Sequence, residues 1–446
     1  MLFILLITLS VYAQENSPFS RYGIGDLYPA QTIASRAMGG LSAAFADGQT
    51  INSSNPASYG NIQLVTYDIG ISLDARILRD NNLALKYNAT NFAPSYLQIG
   101  LPLSRKRKIG FAFGLKPVTR INYNVQDFSK ILVDRELNLY DSLQSLYQGN
   151  GGLNQAFFGI GKRWKNLTLG FNGSVDFGKK NISTTVDLIN DTTLYYKSLS
   201  SSNTAFWGAS FNGGFQYDIK LHGVNNKINN TTESYYLRVG ANVTWQQKLH
   251  ANTDVNRETF FYDANGAIVK IDSVYEQTNV LGKITLPTTY TAGFMFIKSI
   301  RSSIIGVDKW AFGAEYDAGK WSDYRFYDQP DKVVDNWMLR VGGQITPDPL
   351  FGKNVWSRAV FRLGFFTGQD YINADNNKLK VTGLTLGAGF NLRRYRPVEN
   401  QFTLINTALE IGKRGSSVNN VTENYFKLSV GFSLSDISWF IKRKYE

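Results

Sequence analysis

Side chains that could do covalent chemistry are scarce in this chain. It has two histidines, His222 and His250, and no cysteine. Without cysteine there is no thiol nucleophile, zinc finger, disulfide scaffold or lipid-modified N-terminal thiol. Two histidines far apart in sequence leave little scope for a triad or a histidine metal site. No G-x-S-x-G, P-loop, H-E-x-x-H or EF-hand pattern is present. The carboxylates are scattered, so acid–base pairs cannot be located by spacing. The expectation is a protein that is not an enzyme and needs no metal or cofactor. The charged residues of interest are Glu315, Arg340, Arg362 and Glu410, and what they can do depends on the elements that carry them.

Those elements have a period of two. Val65, Tyr67, Ile69, Ile71 and Leu73 alternate with Thr66, Asp68, Gly70 and Ser72. Ile109, Phe111, Phe113 and Leu115 alternate with Gly110, Ala112, Gly114 and Lys116, and near the end Phe426, Leu428, Val430, Phe432 and Leu434 alternate with Lys427, Ser429, Gly431 and Ser433. Alternation is a strand signal. Charged residues are 18%, aromatic residues 14% and glycines number 40, yet mean hydropathy is −0.22. Outward apolar and inward polar side chains cancel in this way in a transmembrane β-barrel. About fourteen strands of barrel length fit between residues 63 and 435. Long connections such as 75–91, 125–152 and 179–203 alternate with tight ones such as 104–107, as in an up-and-down barrel with long outer loops and short periplasmic turns. The expected fold is therefore all-β, an antiparallel barrel in the bacterial outer membrane with both termini periplasmic. Trp164, Tyr217, Trp245, Trp310, Tyr316 and Trp337 fall near strand ends, where aromatic girdles belong.

On this frame Glu315, Arg340 and Arg362 face inward from strands nine, ten and eleven, and Glu410 from strand thirteen. A lumen charge must be hydrated or paired. The four either line the lumen, pin whatever fills it, or bind a substrate carboxylate. Inward Gly383, Gly387 and Gly389 leave room for such a filling. Within 125–152, Leu139, Tyr140, Leu143, Leu146 and Tyr147 have helical spacing and predict an amphipathic capture helix above the mouth. Asp263-Ala264-Asn265-Gly266 predicts a hairpin turn.

Met1–Ala13 reads as a signal peptide, with Val11 and Ala13 at the small positions of a cleavage site. Residues 14–62 lack the two-residue period and suit a compact plug, with paired glycines and an Asn-Pro turn. Residues 63–435 make the barrel and 436–446 a basic periplasmic tail. Within the plug, Arg36-Ala37-Met38-Gly39-Gly40, the small-residue run to Ala46-Asp47, and Asn55-Pro56-Ala57 resemble the N-terminal hatch of the FadL family. That family comprises outer-membrane proteins for long-chain fatty acids and other hydrophobic compounds. The resemblance is carried by motifs over about residues 30–75 and is architectural beyond them. It implies a fourteen-stranded barrel with an N-terminal hatch, formed here by Met38, Gly39, Gly40, Asp47, Asn55, Pro56 and Ala57. Phe361–Phe366 and the tail Trp439–Lys444 are similar to Bacteroidota members. That branch includes PorV-like proteins, which serve type IX secretion instead of transport.

Two functions remain open. One is passive uptake of hydrophobic or amphipathic small molecules by lateral diffusion. The other is a non-transporting structural subunit of an outer-membrane secretion or barrel-assembly complex. Partners would be outer-membrane lipid and lipopolysaccharide, a hydrophobic ligand, and other outer-membrane or periplasmic proteins. The net charge of +12 is not read as nucleic-acid binding, because its clusters, such as Arg105-Lys106-Arg107-Lys108, fall on expected periplasmic turns. Pro117 in strand three has no N–H to give to a ladder. FadL-like proteins have a kinked third strand that opens the wall sideways, so the resemblance implies an opening at Pro117, with Lys116 and Arg120 near an anionic headgroup. Pro287 is expected near the start of strand eight, where a missing donor matters less.

Overall fold

Side chains in this molecule are inverted relative to a water-soluble protein. Ile69, Leu73, Leu428 and Leu434 are exposed, whereas Thr66, Asp68, Ser72, Ser429 and Ser433 are buried. Alternation sends one row of each strand outward and the next inward, so the sheet has a lipid face and a polar interior. The computed structural model describes residues 17–436, apart from 82–84, 135, 137, 190–195, 227–230, 302–305, 350–351, 375 and 394–400. The expected signal peptide lies outside the described residues, as does the tail beyond Asp436.

Fourteen antiparallel strands close into a barrel. They are β1 (Val65–Asp80), β2 (Lys86–Ser104), β3 (Ile109–Pro117 continued by Thr119–Asp134), β4 (Leu139–Trp164), β5 (Leu167–Ile189), β6 (Lys197–Asn226), β7 (Thr231–Thr244 continued by Gln247–Tyr262), β8 (Ile268–Leu286 continued by Thr289–Arg301), β9 (Gly306–Gly319), β10 (Asn336–Ile345), β11 (Val360–Gln369), β12 (Lys380–Arg393), β13 (Gln401–Arg414) and β14 (Val421–Asp436). Closure runs from Val421↔Asp80 to Asp436↔Val65. The strand number and order match the sequence expectation.

The long connections do not. Most of 125–152 and 179–203 is strand, so β3 to β8 stand far taller than β9 to β14. The expected capture helix is absent. Leu139, Tyr140, Leu143, Leu146 and Tyr147 lie on β4, paired with the upper arm of β3, with Leu146↔Gln126 and Leu143↔Ser129 in register. Sheet pairing with β3 throughout, and with β5 from Ser142 on, engages its backbone, and that outweighs helical spacing of five side chains. The hairpin at 263–267 is present, closed by Asp263 N donating to Ala267 O at 2.9 Å. Pro287 is also placed differently from expectation. It lies between the two arms of β8, in the body of the strand.

The N-terminal segment packs against inward-facing residues of the wall. Thr32 caps a single helical turn, Ile33–Arg36, and Asn55 caps the 3-10 turn Pro56–Asn61 by accepting from Ala57 N at 3.0 Å. Much of this segment rests backbone-to-backbone on wall glycines. A Cβ on Gly364 would lie 2.0 Å from Gly39 N, one on Gly240 2.1 Å from Ala43 O, and one on Gly170 2.2 Å from Pro56 O. Ser17 N donates to Asn122 O on the upper arm of β3, so the described chain starts toward the loop end. Phe19 and Ile24 of the segment join Phe206, Trp321 and Tyr371 of the wall and loops in one apolar cluster.

Gly364→Val should therefore unseat the segment. Overpacking against backbone costs about 1–3 kcal/mol. The expected result is a lower temperature for the folded-to-unfolded gel shift and faster proteolysis of residues 17–62, with β content by circular dichroism retained.

Candidate functional site

Pro117 ends one ladder and a different one begins beyond it. The lower arm of β3 pairs with β2 from Ile109↔Ser104 to Leu115↔Leu97. On the other side β3 stays joined to β4, with Pro117↔Asn154, Val118 N donating to Leu153 O at 2.8 Å, and Ile121↔Gly151. Past Leu115, β2 turns away. Its residues from Lys86 to Tyr96 pair only with β1 among the described residues. The wall is therefore split between the upper halves of β2 and β3.

The chain's own N-terminal segment lies in that split. Asp26 and Leu27 pair with Arg120 and Thr119 as a short antiparallel strand. Tyr28 N donates to Val118 O at 2.8 Å, and its hydroxyl reaches Ser95 Oγ of β2 at 3.0 Å. Arg120 stacks over the Tyr28 ring at 5.2 Å. Asp26 is held from the other wall, 3.2 Å from Arg76 and 2.8 Å from Arg414, and it also accepts from Ser17 Oγ. Arg414 meets Asp370 at 2.8 Å, and Arg76 meets Asp74 at 2.7 Å and Glu423 at 3.3 Å. A lumen cavity of about 450 Å³ adjoins this suture, bordered by Leu27, Tyr28, Lys116, Pro117, Asp176 and Arg340 among others.

Of the expected opening residues, Pro117 borders the cavity and Arg120 supports the suture. Lys116 is buried, with Nζ 3.3 Å from Ser53 Oγ of the lumen segment. Three of the four lumen charges touch that segment. Glu315 accepts from Ser42 N at 2.7 Å and from Ala43 N at 2.5 Å. Arg340 donates to Gly39 O at 3.0 Å and pairs with Asp317. Glu410 pairs with Arg36 at 2.5 Å, and Arg36 also reaches Ser72 at 2.9 Å. Arg362 instead bonds Asn406 at 2.8 Å and Gln344 at 3.1 Å, within the wall.

The residues expected to form the hatch all lie in this segment, with different neighbours. Met38 is fully buried, and Gly39 N donates to Thr385 Oγ1 at 2.8 Å. Gly39 and Gly40 have φ of +74° and +88°, where an L side chain would be strained. Asn55 Nδ2 donates to Ala43 O at 2.6 Å. Asp47 stays near the edge and accepts from Gln49 N at 3.1 Å. Pro56 and Ala57 lie against β5 at Gly170. Sequence reasoning missed Asn52, which ties Ser42 O and Phe45 O together at 2.7 and 2.9 Å. It also missed Asp26, Arg76, Arg414 and Glu423. Inward parity on β1 (Thr66, Asp68, Ser72, Asp74, Arg76) could have pointed to Arg76.

The sequence matches the family model BamG over residues 1–446. No curated protein sequence matches it. Among solved structures the chain is similar to the Pseudomonas putida toluene transporter TodX, at 14% identity, covering 93% of this chain and 100% of that one, with a TM-score of 0.53. It is also similar to the Ralstonia pickettii toluene transporter TbuX (16%; 91% and 98%; 0.51) and to a Pseudomonas aeruginosa FadL homologue (11%; 93% and 100%; 0.51). The shared feature is the fold, that of outer-membrane channels of the FadL type.

The Arg36–Glu410 pair gives a direct test of how the segment is held. Glu410→Gln leaves Arg36 without its carboxylate. The expected cost is about 3 kcal/mol, the lower end for a broken buried pair, since both groups also border the cavity. Proteolysis of residues 17–62 should accelerate, and pairing Glu410→Gln with Arg36→Met should recover most of the loss.

Proposed function

The chain belongs to the BamG family, and from that premise we propose that it passes hydrophobic or amphipathic small molecules, with the character of a long-chain fatty acid, sideways from its lumen into the outer membrane. The observation that carries this reading is the split beyond Pro117, which adjoins the 450 Å³ cavity. A route through the wall spares an apolar chain from crossing the polar lumen from end to end. Passage requires the Asp26–Leu27 strand to leave β3. Arg120 would then face the opening, where an anionic headgroup would meet it, while Arg76 and Arg414 stay paired with Asp74, Asp370 and Glu423. Lys116 lies one residue below the break. The process is downhill and needs no cofactor. The turn end, where Asp436 and Val65 pair, is read as periplasmic.

A second reading has its own support. The split is occupied by the chain itself, and the lumen segment is fixed to β10, β12 and β13 by Arg340, Thr385 and Glu410. A permanently seated segment suits a non-transporting subunit of an outer-membrane complex, with the tall β3–β8 wall available to partners.

The two readings separate in one experiment, made clean by the absence of cysteine. Leu27→Cys with Thr119→Cys, directly opposed across the suture, can be oxidised to lock the strand in place. Under the uptake reading, the locked protein loses uptake of a fluorescent long-chain fatty acid by cells, and a reductant restores it. If uptake is the same locked and unlocked, the lateral route is wrong. Recovery of a stoichiometric complex with either form would then favour the subunit.

A further inference from the structure

The lipid face of the wall is graded along one sector, from β11 through β14 to β1 and β2. One row crosses the sector as Phe365, Leu384, Ile411, Phe426, Ala75 and Thr90, each opposite the next in register. Four large apolar groups give way to two small ones, and a groove of about 870 Å³ lies over these strands. One row nearer the loop end, Thr382, Lys413, Asn424, Ile77 and Asn88 stand side by side. The next row brings Arg79 opposite Lys86, with Lys380 two residues beyond Thr382. Lys380, Lys413, Arg79 and Lys86 are all exposed, and none forms an ion pair among the described residues. The outward positions of these rows hold no carboxylate.

We propose that this groove is a binding site for a phosphorylated glycolipid of the outer leaflet. The height gradient matches such a lipid from acyl chain to headgroup. Its apolar row and the depression at Ala75 and Thr90 take a chain. The hydroxyl and amide row of Thr382, Asn424 and Asn88 meets sugar oxygens. The four cations meet phosphate, which sits at the membrane surface, where basic side chains are attracted to anionic lipid. A neutral lipid would leave the cations without a counter-charge, and a soluble anion would leave the groove empty. This site is on the outside of the wall and does not depend on the route through the lumen.

The test uses the full-length barrel in nanodiscs of phosphatidylethanolamine doped with bisphosphorylated lipid A, with bound lipid counted by native mass spectrometry. The wild-type protein should retain lipid A in preference to its dephosphorylated form by at least tenfold. The variant Arg79→Gln/Lys86→Gln/Lys380→Gln/Lys413→Gln should lose that preference. These side chains are exposed, so the barrel should fold, which circular dichroism checks. A control that removes four cations at a turn, Arg105→Gln/Lys106→Gln/Arg107→Gln/Lys108→Gln, should keep the preference. Equal retention of both lipid forms, or loss only in the turn variant, overturns the site. So does a photo-crosslinker at Asn88 that in cells captures another barrel and no lipid, which would make the groove a protein interface.

Discussion

Hydrocarbon offers no hydrogen bonds, so a wall that faces it must pair every backbone N–H and C=O internally. That constraint sets most of what is seen here. It forces the strands into a closed ring, with β14 returned to β1. It also makes a proline in mid-strand costly, since the ladder loses a donor there. At Pro117 the wall does not repair its ladder on the β2 side. The chain brings a strand from its own N-terminus to the exposed edge instead, and Asp26 and Leu27 supply the pairing that β2 gives up. Pro287 meets the same constraint less severely. β8 changes neighbours there, pairing with β7 on both arms but with β9 only below.

A polar lumen follows from the same rule. Side chains that cannot face lipid face inward, and the carboxylates and guanidiniums so collected must find partners. Part of the collection binds the N-terminal segment and part binds the wall. Glu315 works as an anchor for backbone N–H groups of Ser42 and Ala43, while Arg362 stays on wall amides. The glycines opposite the segment complete the fit. They let backbone approach backbone where any side chain would collide.

How much of this was legible in the sequence depends on what each stretch faces. Inside the bilayer one face is apolar and the other polar, so β1, β3 and β14 announce themselves by alternation. Above the bilayer both faces are wet and the signal fades. Ser200-Ser201-Ser202-Asn203 reads as loop yet pairs fully with β5 and the upper arm of β7. The same fading allowed the helical spacing around Leu139–Tyr147 to mislead. Pro117 was legible because a missing donor is a local fact. The suture was not, because Asp26 and Leu27 carry no pattern and their partners are far away in sequence. The direction of the N-terminal segment was equally hidden, since small residues and turns specify compactness without specifying which way the chain runs.

The suture has a consequence for how this molecule is made. Asp26 is held by Arg414, and Arg36 by Glu410, at sequence separations of 388 and 374. The N-terminal segment finds these two partners only when the penultimate strand arrives. Contacts of such long range are slow to form. Seating of the lumen segment and closure of the ring are thus one late event. Until then the edges of β1 and of the upper arm of β3 stand open together, so an unfinished barrel presents two sticky margins, one of which β14 later closes and the other of which the Asp26–Leu27 strand covers in part.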